Sequence, residues 1–155
     1  MSFAPPPGMH VGQINIARLR APQGDPQVQG FFDGVARMNA LAERSAGFVW
    51  RLRDESADPY WPQMIAEDPL LTVTVSVWTS VEAVRAFAHK TVHRRFFDRR
   101  AEWFVPLGRP HLAMWPVAPG TRPGLAEGFA RLDRIAAEGE GPEAFGWAGL
   151  REAAD

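Results

Sequence analysis

From Leu71 to Trp78 the chain alternates strictly. Leu71, Val73, Val75 and Val77 fall on one side, and Thr72, Thr74, Ser76 and Trp78 on the other. That two-residue period marks a strand with one apolar face and one polar-and-aromatic face. The same reading finds three more strands. In Val11 to Leu19, Val11, Gln13, Asn15 and Ala17 oppose Gly12, Ile14, Ile16 and Arg18. In Phe48 to Arg53, Phe48, Trp50 and Leu52 oppose Val49, Arg51 and Arg53. In His111 to Val117, His111, Ala113, Trp115 and Val117 oppose Leu112, Met114 and Pro116.

Between the strands the period lengthens to that of a helix. Asp25-Pro26 supplies an N-cap and a first-turn proline, and Phe31, Val35, Met38 and Ala42 form an apolar stripe that runs to about Arg44. Gly30 and Gly34 weaken this helix slightly, and Gly47 is placed to end it. A second helix opens at Thr79-Ser80-Val81-Glu82, where Thr79–Glu82 or a neighbouring register supplies a capping box. It breaks near Lys90-Thr91 and resumes through Phe104 before Pro106 stops it. A last helix spans about Pro123 to Ala137, with Leu125, Phe129, Leu132 and Ala136 on one side. The acid- and proline-rich residues 54 to 68 read as a long connection.

The order β-α-β-β-α-β-α predicts an α+β fold, the ferredoxin-like split arrangement with an extra C-terminal helix. Right-handed crossovers put both main helices on one sheet face and leave the other face bare. A bare apolar face calls for a second copy, so a homodimer is expected.

At 155 residues the chain suits one domain, expected over 9–147 between a disordered leader (1–8) and a tail (148–155). A net charge of −1 argues against a nucleic-acid partner. No apolar run reaches the roughly 20 residues that span a bilayer, and the N-terminus lacks signal-peptide character. With no cysteine, disulfides and thiolate metal sites drop out, and no metal is expected. These features fit a cytoplasmic protein whose partners are a small hydrophobic substrate and a copy of itself. No G-x-G-x-x-G loop is present, so a nucleotide cofactor is not expected.

Candidate chemistry gathers on the third strand and second helix. His89 and His93, four apart, share a helix face and offer an acid/base pair or a ligand; the alternative is a hydrogen-bonded, solvated face beside Lys90, Arg94 and Arg95. Asn15, Ser76 and Arg51 are strand polar groups that need partners if buried, and an Asn15 amide could polarise a substrate oxygen. Trp50, Trp78, Trp103 and Trp115 could wall a planar ligand or simply pack the core. Arg94-Arg95 and Arg99-Arg100 could hold a carboxylate or phosphate, with Arg100 a substrate-binding candidate, or could pair with Asp98 and Glu102. Tyr60 and Trp61 could form a lid.

Four stretches carry a resemblance: Gln13 to Arg18, Asn39 to Leu52, Ser76 to Ala83 and Arg99 to Phe104. They resemble a bacterial domain family of unknown function that is a branch of the dimeric α+β barrel superfamily, beside antibiotic-biosynthesis and haem-degrading monooxygenases. The likeness covers about residues 9 to 147. It implies a dimeric α+β barrel with a cleft between sheet and helices. It also implies a monooxygenase-like biosynthetic enzyme, or a cyclase, dehydratase or isomerase on the same scaffold; the alternative is a non-catalytic ligand- or haem-binding dimer. In haem-degrading members a first-strand Asn and a second-helix His serve the haem. Asn15 matches the first position. An ungapped match from Ser80 puts Phe97 at the second, and His93 takes the role only if the helix shifts.

Overall fold

The computed structural model describes the backbone of residues 3–154 and the side chains of residues 3–150. The elements are β1 (His10–Leu19), α1 (Gln29–Glu43), β2 (Phe48–Arg51), α2 (Trp61–Glu67), β3 (Leu71–Trp78), α3 (Val81–Ala88), α4 (Thr91–Asp98), α5 (Arg100–Trp103), β4 (Phe104–Val105), β5 (Leu112–Val117), α6 (Leu125–Glu138) and α7 (Trp147–Ala154). All strand pairs are antiparallel. The long β1 is central: β3 lies along one edge, β5 and then the short β4 along the other, and β2 flanks β3. The order β2-β3-β1-β5 is the split ferredoxin-like arrangement expected from the sequence.

Local signals act where they were read. Asp25 Oδ1 accepts the Gln27 N–H at 2.8 Å. Of the two capping registers the neighbouring one is used, with Ser80 Oγ accepting the Ala83 N–H at 3.1 Å. The break at Lys90 is real and separates α3 from α4.

Register decides which side chains share a face. Val11 pairs with Trp78, Gln13 with Ser76 and Asn15 with Thr74 on the near face, towards α1, α3 and α4. Ile14 pairs with Val75 and Ile16 with Val73 on the far face.

The far face is not bare, contrary to expectation. α6 lays Leu125, Phe129 and Leu132 against Ile14, Ile16, Val73, Val75, Ala113 and Trp115, and Met64 of α2 joins them. Ile14 and Trp115 are 0 % exposed within the single chain. Gly128 permits the close approach, since a Cβ there would stand 2.6 Å from Ile14 Cδ1. The physical reason given for a twin is therefore met from within, by the same C-terminal helix the sequence reading treated as an appendage.

The stretch 54–68 is likewise not an open connection. It forms α2, and Tyr60 packs on Phe129 with ring centroids 5.2 Å apart. Its acids have local work: Asp58 accepts the Tyr60 N–H at 2.8 Å and the Leu125 N–H at 3.1 Å, which caps α6. Tyr60 and Trp61 belong to this far-side core rather than to a lid.

The expected tail is the helix α7, whose Leu150 is buried beside Phe145. Of the expected leader, Phe3 packs on Phe145 at 6.5 Å; residues 1 and 2 lie outside the described residues.

Candidate functional site: a polar-floored cleft under the fourth helix

The near face has a polar middle. Asn15 and Thr74, direct cross-strand partners, are both exposed, although helices lie on this side of the sheet. Their neighbours Gln13 and Ser76 are bonded, Gln13 Nε2 donating to Ser76 Oγ at 3.2 Å. Trp78 Nε1 donates to the same oxygen at 3.0 Å. A hydroxyl accepts two bonds and donates one, so these two donors leave the Ser76 O–H free to give its proton to a third group.

The walls are aromatic. At one end Phe48, Trp78, Phe87 and His93 run in sequence, with centroid distances of 5.4, 5.3 and 4.8 Å. At the other, Phe31, Phe96 and Trp103 join α1, α4 and α5, with Phe96 4.8 Å from Trp103. The two glycines of α1 make this second wall possible. A Cβ on Gly34 would stand 2.5 Å from Phe96 Cε2, and one on Gly30 would stand 3.0 Å from Trp103 Nε1. The helix gives up some intrinsic propensity for that close contact.

α4 is the roof, and none of its residues is fully buried. His93 and Phe96 point inward to Phe87 and to Phe31 and Trp103. Val92 and Phe97 flank them and stay about half exposed, at 49 % and 48 %. An apolar helix face left half uncovered, on the same side of the sheet as the exposed Asn15–Thr74 pair, makes this face the candidate binding surface.

His93 is half-buried, and its Nδ1 lies 3.1 Å from the Ala88 carbonyl oxygen. The imidazole must donate there, so in the neutral ring Nε2 carries the lone pair. Burial pulls its pKa below the ordinary imidazole value, and the bond to Ala88 opposes the shift in part. No hydrogen bond to Nε2 exists among the described residues. The result is a base shifted towards its neutral form and held in one tautomer.

Not every candidate converges here. Asn15, Ser76 and Trp78 share the near face of the sheet, His93 meets Trp78 through Phe87, and Trp78 and Trp103 are themselves buried. His89 is exposed at the end of α3, clear of the cleft. Trp50 and Trp115 do not line it: Trp50 pairs with Val77 and Trp115 with Gly12, which puts both on the far face with the α6 core. Strand alternation allows no other outcome once the register is set. Arg100 is exposed, donates to the Phe97 carbonyl at 3.2 Å and stacks on the Phe97 ring at 4.0 Å, so it stands at the rim. Arg51 pairs with Glu43 at 2.7 Å and ties α1 to β2. Gln13, Thr74, Phe87 and Phe96 were not picked as site residues. Gln13 and Thr74 were nevertheless visible as members of the polar faces of their strands.

His93 is also the residue that would hold a haem iron, since an Nδ1–H bonded to the Ala88 carbonyl leaves Nε2 free to bind. Phe97 does not fit that role, because it is a rim residue with no donor atom.

Comparison with known proteins agrees with this architecture. Solved structures match at the level of fold. Protein SO0527 from Shewanella oneidensis has a TM-score of 0.51 at 12% identity, covering 70% of this chain and 91% of that protein. A provisionally named antibiotic biosynthesis monooxygenase from Nitrosomonas europaea has a TM-score of 0.50 at 15% identity, covering 74% and 95%. SnoaB, a cofactor-independent oxygenase from Streptomyces nogalater, has a TM-score of 0.46 at 18% identity, covering 77% and 99%. No curated protein matches the chain. The fold is thus monooxygenase-like and ferredoxin-like, and no helix among the described residues is long and apolar enough to cross a membrane. With residues 10–155 matched by the model of the domain of unknown function DUF3291, the chain belongs to that family.

Proposed function

We propose that this chain is a small-molecule enzyme that uses the near-face cleft for monooxygenase-like chemistry, or for a rearrangement with the same first step, on a hydrophobic aromatic substrate. The observation that carries the reading is the exposed Asn15–Thr74 pair on the helix-bearing face of the sheet, together with His93, which reaches that face through Phe87 and Trp78 and whose Nε2 carries the lone pair in the neutral ring. The shared first step is removal of a proton from an acidic C–H or phenolic O–H of the substrate. His93 Nε2 takes that proton, and the resulting oxyanion is held by the Asn15 amide and the Ser76 O–H. Trp78 and Trp103 with Phe87 and Phe96 hold the ring system. The role is biosynthetic and cytoplasmic, with neither nucleic acid nor membrane as partner. A second copy, which the superfamily likeness implies, has to dock elsewhere than on the closed far face.

The test is oxygen uptake and product formation over a panel of polycyclic phenols and aromatic ketones. His93→Ala should lower turnover by about 10²–10⁴-fold, the range for loss of a general base, while circular dichroism stays unchanged. Full activity in that variant removes His93 from the mechanism. A second reading, a ligand- or haem-binding protein without turnover, rests on the same imidazole. When bound, haem would supply oxygen activation at the His93 end of the cleft. A Soret band lost in His93→Ala favours that reading.

A further inference from the structure

The chain carries a net charge of −1, yet residues 90–100 hold Lys90, Arg94, Arg95, Arg99 and Arg100 against the single acid Asp98. Three of these cations have partners. Lys90 Nζ donates to Ser45 Oγ at 2.8 Å, and Arg99 pairs with Glu102 at 2.9 Å and lies over Trp103. Arg100 is taken up by Phe97. The guanidinium groups of Arg94 and Arg95 have no ion pair or side-chain hydrogen bond among the described residues, not even with Asp98. Both are exposed. Residues three apart on a helix are neighbours, so Arg95 stands beside Val92 and Arg94 beside Phe97. Each half-bare apolar residue at the cleft rim therefore has an unpaired guanidinium next to it, on the solvent side.

We propose that the cleft is built for an amphiphilic organic anion. On the cleft reading above, the apolar, aromatic body lies under α4, and a carboxylate, sulfonate or phosphate stays at one rim with Arg94 or at the other with Arg95. The inner surface of α4 is apolar, the floor offers hydrogen bonds, and the positive charge sits only outside. An anionic group buried in the cleft would meet no cation, whereas one at either rim meets one, Arg94 beside Phe97 or Arg95 beside Val92. The acid on the substrate thus fixes which end enters and draws the ligand to the basic edge of an otherwise acidic molecule.

Two fluorescent probes test this directly. Anilinonaphthalene sulfonate and phenylnaphthylamine share one aromatic body and differ only by the sulfonate. At about 0.01 M salt the sulfonate should bind the intact chain about tenfold more tightly, and at about 1 M salt the preference should vanish. In the double variant Arg94→Ala with Arg95→Ala the two probes should bind within about twofold of each other, with phenylnaphthylamine unchanged. Thr74→Trp, which plugs the floor, should abolish binding of both. Equal affinities in the intact chain, with both probes still lost in Thr74→Trp, overturn the anion preference and leave the cleft standing. Sulfonate binding that survives Thr74→Trp puts the anion elsewhere and overturns the proposal. Failure of both probes to bind overturns the cleft as well.

Discussion

Gly12 lies on the far face of β1, directly under the indole of Trp115. A methyl group added there would stand 2.7 Å and 2.9 Å from Trp115 Cε2 and Cζ2, and 2.8 Å from Val117 Cγ2. Carbon pairs prefer about 3.5–4.0 Å, so the ring must retreat by nearly an ångström. It has nowhere to go: Trp115 is 0 % exposed beneath α6, and the Arg131 guanidinium lies 5.8 Å from its ring centre. Overpacking of this kind costs about 1–3 kcal/mol. Replacing a strand glycine by alanine returns about 0.5–1 kcal/mol of backbone entropy. Taking the middle of each range, Gly12→Ala should therefore destabilise the chain by about 1 kcal/mol net, lowering Tm by about 2–5 °C for a domain of this size. Urea and thermal unfolding followed by tryptophan fluorescence and circular dichroism measure it. Trp115→Leu removes the ring but not the Val117 methyl, so in that background Gly12→Ala should cost less, and the two changes should couple. If Gly12→Ala leaves stability equal or higher while Trp115 is present, the far face is not sealed by α6 as described. Ligand binding in the near-face cleft should be unaffected either way.

Other predictions concern the cleft. The pKa of His93 is depressed in the folded chain, so protonation favours the unfolded state. The stability this neutral group contributes is present above the ordinary imidazole value of 6.5 and is lost as pH falls through the folded pKa. His93→Gln should flatten the stability–pH curve in that window, and an unchanged slope would assign it to another group. The same shift keeps the base unprotonated, so activity should persist below the ordinary imidazole range, as a pH–rate profile would show. Ser76→Ala leaves Trp78 Nε1 and Gln13 Nε2 without their shared acceptor and should cost about 1–3 kcal/mol in urea unfolding. No loss of stability and an unaltered tryptophan emission would contradict the shared-acceptor geometry.

Much of the site was legible before any coordinates. The alternation of Val11, Gln13, Asn15 and Ala17, and of Thr72, Thr74, Ser76 and Trp78, already defined two polar strand faces. The break at Lys90-Thr91 was visible too, but the shared face expected of His89 and His93 was not kept, because that break separates them and leaves His89 exposed. Hidden were the partners across elements. That Gln13 meets Ser76, or that Gly30 and Gly34 seat Trp103 and Phe96, depends on register and helix docking, which no local pattern encodes. The same gap misplaced Trp50 and Trp115, because an alternating strand announces two faces without saying which one a helix will cover.

The chain by itself determined the four long strands, the main helices between them, their order and the split sheet, but not α2, β4 or α7, because periodicity, caps and right-handed crossovers are local rules that short segments carry weakly. It could not say where α6 goes, since an amphipathic helix pairs equally well with its own sheet or a neighbour's. Only tertiary packing decided that Gly128 meets Ile14 and closes the far face within one chain. The near face keeps Asn15 and Thr74 exposed for the converse reason: a row of polar strand residues offers a helix no apolar surface to settle on.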